Sequence, residues 1–503
     1  MLTGIGLRNF KAFGDEMQEA PLSKITLIYG PNSGGKSSII QALLLLKQSH
    51  EGHYNQGAME LIPRGRYADL GSFPSLIHKH DIDLELGIKV EFDAEERALT
   101  RSLPIPTRRN RSFRFRKRFT EGLSGCVDLI FVAEPSDDSD SKDSSELSSV
   151  GYRLTHDYNE GMALDIQLEL ERNFAEPSDN GDSLETPKFN WQNSDSIDSF
   201  AKFAAENLTS LIRHDRDDVA QNSMTRAEWS SLLENSSVET ALYAYGLPYT
   251  IRPFIETGTF TPRSNRLTIP LMADYRYNMD RITYLGPLRS YPERLYTVSG
   301  GGRESTGIRG EFTPHILHYN PSNVVGSVNE WFKKFRISYE LDTSPLGSPE
   351  LAGEHITIAL KDEHTKTRVT LADVGFGINQ LLPVIIEGIA SPEDSIICVE
   401  QPEIHIHPRL QAHLADLMID TIADEPVKRK QWIVETHSEL LILRLQRRIR
   451  EGEINSEDVS VLYVNPGQNG STIEVLRLDE EGDFIDAWPH GFFDEGFNEL
   501  MDA

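Results

Sequence analysis

Gly30-Pro31-Asn32-Ser33-Gly34-Gly35-Lys36-Ser37 matches the pattern G-x-x-x-x-G-K-[ST] in full. The apolar run Ile25-Thr26-Leu27-Ile28-Tyr29 precedes it, and Ser38-Ile39-Ile40-Gln41-Ala42-Leu43-Leu44-Leu45-Leu46 follows. That order predicts strand, loop and helix, the context in which the pattern holds phosphate. Glycines let backbone N–H groups converge on a polyphosphate, and the helix N-terminus adds its positive end. Gly30, Asn32, Ser33, Gly34, Gly35, Lys36, Ser37 and Ser38 are therefore the expected nucleotide-binding residues. Lys36 would reach the β and γ phosphates, and Ser37 would hold Mg²⁺.

A nucleotide-hydrolysing site also needs a metal-holding carboxylate and a group that orients water. Ser395-Ile396-Ile397-Cys398-Val399-Glu400 reads as a buried strand ending in an acid. Gln401-Pro402-Glu403-Ile404-His405-Ile406-His407-Pro408 follows, then a helix with Leu410, Leu414, Leu417 and Met418 on one face. Ligand groups collect at the C-terminal ends of such strands, so Glu400 is assigned to Mg²⁺. Upstream, Asp373-Val374-Gly375-Phe376-Gly377-Ile378-Asn379-Gln380 leads into a helical run. Gly375 and Gly377 before that helix make an anion-binding terminus, with Pro383 expected in its first turn. Downstream, Gln431-Trp432-Ile433-Val434-Glu435-Thr436-His437-Ser438 is another strand ending in polar groups. There His437 is positioned to contact the γ-phosphate or the attacking water.

Composition bounds the rest. The 503 residues are enough for two or three domains, and a hydrophobic fraction of 38% supports real cores. A formal net charge of −28 argues against general affinity for DNA phosphates. One basic strip stands against it: Arg108, Arg109, Arg111, Arg114, Arg116, Lys117 and Arg118, interleaved with Phe113, Phe115 and Phe119. It reads either as a strand with solvated arginines or as a phosphate-contacting strip with stacking aromatics. Cys126 and Cys398 alone give no disulfide framework and no zinc spacing. No apolar run has the length of a membrane span, and the opening residues lack a signal-peptide core, so a cytoplasmic protein is expected. Residues 137–149 are Ser/Asp-rich and read as a disordered loop. Ile197, Phe200, Phe203, Ala204, Leu208, Leu211 and Ile212 recur at helical spacing. Beyond Ile282-Thr283-Tyr284-Leu285, a predicted strand, Arg289 and Arg294 are available to phosphate or to acids.

The order of phosphate loop, long insertion, Gly-rich signature, acid-Pro strand and Thr-His strand resembles ABC-type ATPase heads. More narrowly, it resembles the SMC-like and RecF-like group that includes the overcoming-lysogenization-defect nucleases and related anti-phage ATPases. Residues 1–50 and about 280–445 carry the match. The resemblance implies an α/β fold, an ABC-type ATPase head with a P-loop mixed sheet and flanking helices. A large α+β insertion would interrupt the head, and a small α+β extension would follow it. The implied division is an N-terminal lobe over 1–94, insertion over 95–280, C-terminal lobe over 281–445 and small domain over 446–503.

In that group two heads sandwich two ATP molecules. The resemblance therefore implies that Gly375, Gly377, Asn379 and Gln380 act across a dimer interface, with His437 as switch histidine. Gln401 stands where the group usually has a catalytic Glu, and an amide orients water without accepting its proton. Either Glu403 takes over as base or hydrolysis is slow. The implied catalytic set is Lys36, Glu400, Gln401, Glu403 and His437, with ATP and Mg²⁺ as cofactors and Ser37 and Glu400 on the metal. The overcoming-lysogenization-defect nucleases carry a C-terminal domain with clustered acids, whereas the residues after Thr436-His437 are few and show no metal-binding constellation, so no built-in nuclease is expected. The function implied is an ATPase that dimerises head-to-head, or assembles further, on ATP and controls a separately encoded nuclease or toxin in anti-phage defence. A DNA repair or recombination clamp and an ATP-stabilised scaffold are the alternatives, DNA contact falling to the basic strip.

Overall fold

The computed structural model describes residues 1–52, 60–94, 123–133, 145–156, 164–173, 188–191, 225, 227, 237–242, 248–254, 265–298, 301, 303–346, 354–423 and 429–489. The chain divides into two compact units. One holds Met1, Ala20–Ile40 and Arg281–Ala503; the other holds Leu2–Glu19 and Gln41–Asp280.

The first unit is built on a six-stranded sheet. Its order is Ile282–Leu285, Ile396–Glu400, Gln431–Glu435, Ile25–Tyr29, Val459–Asn465, Thr472–Val475. The first five strands are parallel, and the last turns back antiparallel. Ile25–Tyr29, Ile396–Glu400 and Gln431–Glu435 are buried along their whole length. Parallel strands covered on both faces require such unbroken apolar runs, which is why the sequence shows no alternation there. The helices Phe376–Ala390, Pro408–Ile422 and Glu439–Arg450 supply Leu381, Ile385, Leu414, Leu417, Leu441 and Leu445 to one core with these strands. Trp432 is fully buried, and its indole N–H donates to the Thr421 hydroxyl at 2.9 Å. A smaller sheet of Tyr296–Val298, Glu354–Asp362, Tyr339–Leu346 and Arg368–Thr370 completes the unit. The expected P-loop mixed sheet with flanking helices is thus present.

The second unit carries an antiparallel sheet in the order Pro248–Phe254, Ser237–Leu242, Lys188–Trp191, Leu164–Asn173, Ser145–His156, Leu123–Ala133, Leu86–Ala94, Leu2–Arg8, with Gln18–Pro21 at the edge. Leu86, Ile88, Val90 and Phe92 are buried at period two, the spacing of one face of a strand. Lys47, on the helix Lys36–Gly52, donates to the carbonyls of Met279 (3.1 Å) and Asp280 (3.2 Å), tying it to the helix Asn265–Arg281.

Several boundaries differ from expectation. Residues 2–19 and 41–94, expected in the head, belong to the second unit, because Leu2–Arg8 pairs with Leu86–Ala94 and that strand pairs along its length with Leu123–Ala133. Residues 446–489 do not stand apart as a small domain: Val459–Asn465 pairs directly with the phosphate-loop strand, Val459 opposite Ile25. Ser145 to Ser149, expected in a loop, open the strand Ser145–His156 and pair with residues of Leu123–Ala133. The basic strip over 108–118, the helix over 197–212 and residues 137–144 lie outside the described residues. No described helix is long and apolar enough to cross a membrane.

Candidate functional site

The phosphate loop leaves Ile25–Tyr29 and enters the helix Lys36–Gly52 as its sequence requires. Gly30 has φ +141° and Gly35 φ +102°, conformations an L side chain rarely adopts. At Gly30 an added Cβ would also lie 2.4 Å from the Val464 carbonyl oxygen. Asn32 and Ser33 are exposed at the tip, while Gly34 and Ser38 are buried. Lys36 is 4% exposed and folds back on the loop, its Nζ donating to the carbonyls of Gly30 (3.0 Å) and Pro31 (2.8 Å). Burial lowers its pKa, and the carboxylates of Glu435 and Glu403 oppose that shift. An ammonium satisfied by two loop carbonyls can exchange them for phosphate oxygens without passing through an unpaired state.

The facing carboxylates come from two neighbouring strands. Glu400 ends Ile396–Glu400, Glu435 ends Gln431–Glu435, and the two are register partners, at one level of the sheet. The Ser37 hydroxyl donates to Glu435 Oε2 at 2.6 Å. Ser37 and Glu400 were the expected metal pair; here Ser37 meets Glu435 instead. The reason is strand order: the phosphate-loop strand pairs with Gln431–Glu435, and Ile396–Glu400 lies one strand further out. Glu400 Oε1 accepts the Tyr284 hydroxyl at 2.9 Å; burial first, and then the neighbouring Glu400 carboxylate, push the phenol well above its ordinary pKa. Sequence reading passed over Glu435 and Tyr284. Glu435 carried the same signal as Glu400, an acid closing an apolar strand, and could have been found by it.

The turn after Glu400 is held from behind. Gln401 takes φ +46°, and its N–H donates to the Glu435 carbonyl at 2.7 Å. Arg289, 5% exposed, donates to the carbonyls of Glu400 (3.1 Å), Gln401 (3.1 Å) and Pro287 (3.0 Å). Burial lowers its pKa to about 10, so it stays charged at neutral pH. These hydrogen bonds brace backbone, and the Glu403 and Glu400 carboxylates act on it electrostatically. Arg294 does pair with an acid, bridging Asp373 through 2.6 Å and 2.9 Å bonds. Arg289→Lys should lower the free energy of unfolding by about 1–3 kcal/mol, because a point ammonium cannot serve the carbonyls a planar fork reaches. Urea titration measures this; a variant as stable as wild type would dismiss the fork.

Glu403 and His437 meet at the end of the same strand pair. Glu403 Oε1 accepts the His437 backbone N–H at 2.7 Å, and Oε2 is buried without a hydrogen-bond partner among the described residues. Burial raises the Glu403 pKa, against the pull of the His437 N–H and of Arg289. Burial, and then Lys36, lower that of His437, which keeps its imidazole neutral at pH 7.

The Gly-rich signature is only partly available. Gly375 caps the helix Phe376–Ala390 and is exposed with Phe376, whose ring meets Tyr291 and His405 edge-on at 5.5 Å and 5.6 Å. Gly377 is needed for close approach: a Cβ there would meet the His405 carbonyl at 2.9 Å. Asn379 and Gln380, expected to reach across a dimer interface, face inward. Asn379 Nδ2 donates to the Ser290 carbonyl at 2.9 Å, and Gln380 is 2% exposed. The helix begins at Phe376, so the helical phase turns both residues into the core, and Pro383 lies within the helix rather than in its first turn.

Residues 25–444 match the family described as AAA domain, putative AbiEii toxin, Type IV TA system. Residues 454–502 match a protein family of unknown function, DUF3696. No curated protein matches the chain. Similar solved structures include an SMC head bound to the C-winged helix domain of ScpA, with 14% identity and TM-score 0.37, covering 95% of this chain and 98% of that one. An Smc head with an extended coiled coil bound to the C-terminal domain of ScpA, derived from Pyrococcus furiosus, has 13% identity and TM-score 0.36, covering 100% and 98%. The SMC head domain from Thermotoga maritima has 12% identity and TM-score 0.33, covering 95% and 99%.

Proposed function

The chain belongs to the AAA-domain family described as putative AbiEii toxin, Type IV TA system, and we propose that it binds ATP with Mg²⁺ at the phosphate loop and hydrolyses it. The observation that carries this is the Ser37 hydroxyl 2.6 Å from Glu435, with Glu400 at the same level one strand away. A hydroxyl facing carboxylates is the donor set Mg²⁺ takes when phosphates and water fill its other positions. Among the described residues no three His, Cys, Asp or Glu side chains could hold a metal by themselves, so phosphate and water would complete the shell. Ser37, Glu435 and Glu400 would hold the ion, which neutralises charge on the β and γ phosphates.

Lys36 then binds those phosphates, and Glu403 takes the proton of the attacking water, held in place by the His437 N–H. His437, neutral, orients that water or the γ-phosphate. Gln401 orients without accepting a proton. Exposed Gly375 and Phe376 support a head-to-head dimer in which one copy's signature closes the other copy's site. Control of a separately encoded nuclease or toxin in anti-phage defence rests on the sequence resemblance to that group of ATPases.

A second reading has its own support. Gln401 occupies the usual place of a catalytic Glu, with its backbone fixed by Arg289 and Glu435; ATP would then be a structural ligand of an assembly. Turnover and particle mass measured together, for wild type and Gln401→Glu, separate the two. Wild-type hydrolysis with ATP-dependent dimers supports the ATPase. Assembly with negligible turnover, gained on Gln401→Glu, supports the scaffold. Neither nucleotide binding nor assembly would sink both.

A further inference from the structure

The C-terminal segment matched to the family of unknown function packs against the back of the phosphate loop. Val459–Asn465 pairs in parallel with Ile25–Tyr29, Tyr463 opposite Tyr29, and runs on through Val464 and Asn465 past the end of that strand. Beyond that level the Val464 carbonyl lies against Gly30 and leaves no room for a Cβ. The chain then turns, the Gly470 N–H donating to the Gly467 carbonyl at 3.3 Å, and returns along Thr472–Val475. Ser471, buried at that return, donates its hydroxyl to the Gly34 carbonyl at 2.8 Å. Further on, Trp488 meets Tyr29 edge-on at 5.3 Å and Phe484 at 5.0 Å. Tyr29 immediately precedes Gly30, and its hydroxyl donates to the Ser438 carbonyl at 3.0 Å.

The Ser471 contact has a directional consequence. In a trans peptide the C=O and the following N–H point opposite ways in one plane. Holding the Gly34 carbonyl from behind therefore aims the Gly35 N–H at the concave side of the loop, where a phosphate sits. Glycine on both sides of this peptide leaves little steric barrier to its rotation, so the orientation must come from outside the loop. We propose that the C-terminal segment is a brace for the phosphate loop, and that Ser471 is a positioning residue that orients the Gly34–Gly35 peptide for phosphate. The effect on nucleotide affinity rests on the ATP-binding reading above; the effect on the loop does not.

The test uses the full chain as wild type, Ser471→Ala and Ser471→Thr, the last keeping a hydroxyl. Hydrogen exchange of the amides of residues 30–37 is read without nucleotide, and Mg-ATP affinity and turnover are read separately. Ser471→Ala should speed loop exchange about fivefold or more and weaken affinity about tenfold, the loss of one buried hydrogen bond. KM should rise with kcat nearly unchanged, since uniform binding is what is lost. Ser471→Thr should return both readings to within about twofold of wild type. Faster exchange in a protein whose wild type binds no ATP would support the brace while sinking the ATP reading. Loop exchange in Ser471→Ala equal to that of wild type would overturn the brace, whatever the affinities.

Discussion

Lys36→Ala is expected to reduce ATP affinity about a hundredfold, the loss of two charge-assisted hydrogen bonds to phosphate. In the nucleotide-free protein the Lys36 ammonium is sealed in and held by the Gly30 and Pro31 carbonyls. Its pKa is lowered by burial, so the folded state disfavours the charge, and that cost is fully present at pH values below the lowered pKa. A polyphosphate adds counter-charge to that of Glu435 and Glu403, which makes the lysine's gain on binding larger than that of a solvated one. Thermal unfolding with and without Mg-ATP measures the effect. At a hundredfold excess over the wild-type Kd the ligand adds about 2.7 kcal/mol to wild type, and it should add about 0.4 kcal/mol to the variant. An equal shift in both proteins would remove Lys36 from the binding site.

Glu403→Gln should leave ATP binding intact and lower turnover about 10²–10⁴-fold, the range for losing a general base. The carboxyl is buried, with Oε1 on the His437 N–H and Oε2 unpartnered among the described residues, so a proton has somewhere to go. Glutamine keeps the first contact and abolishes the second function. The groups acting on it are His437, Thr436 and Arg289, and it acts in turn on Lys36 and Tyr29.

Because burial raises the Glu403 pKa, the acid limb of kcat should fall above the ordinary Glu value of about 4.3. The sign for stability follows. The folded state holds this proton more tightly than the unfolded chain. Its contribution is therefore fully present below the unfolded pKa and lost as pH rises through the folded one. Melting temperatures of wild type relative to Glu403→Gln should accordingly fall as pH rises through the raised pKa. Turnover within threefold of wild type would assign the base elsewhere, and a pH-independent difference would place the carboxyl in solvent.

The phosphate loop was legible because its requirements are local. Gly30, Gly35, Lys36 and Ser37 fall within one short stretch, and the glycines permit the positive-φ backbone it needs. Glu400 was legible for a related reason, an acid closing an unbroken apolar strand. The signature was half legible: glycines at a helix start can be read, but the helical phase that buries Asn379 and Gln380 depends on the turn at which the helix begins. Glu435 closes an apolar strand as Glu400 does and could be read as an acid of the site, but nothing local says which of the two strands borders the phosphate loop.

By itself, then, the amino-acid sequence determined a phosphate-binding loop, the strands that end in acids, and an α/β class, since each is written in a short run of backbone and apolar preference. Only the tertiary structure decided strand order: Gln431–Glu435 on one side of Ile25–Tyr29 and Val459–Asn465 on the other. That order brings Glu435 to Ser37, sets Arg289 behind Gln401 and lays Ser471 against Gly34. Those partners lie from 112 positions apart, for Arg289 and Gln401, to 437, for Ser471 and Gly34. Their meeting is decided by which buried faces close on one core, a global outcome that leaves no periodic mark in the chain.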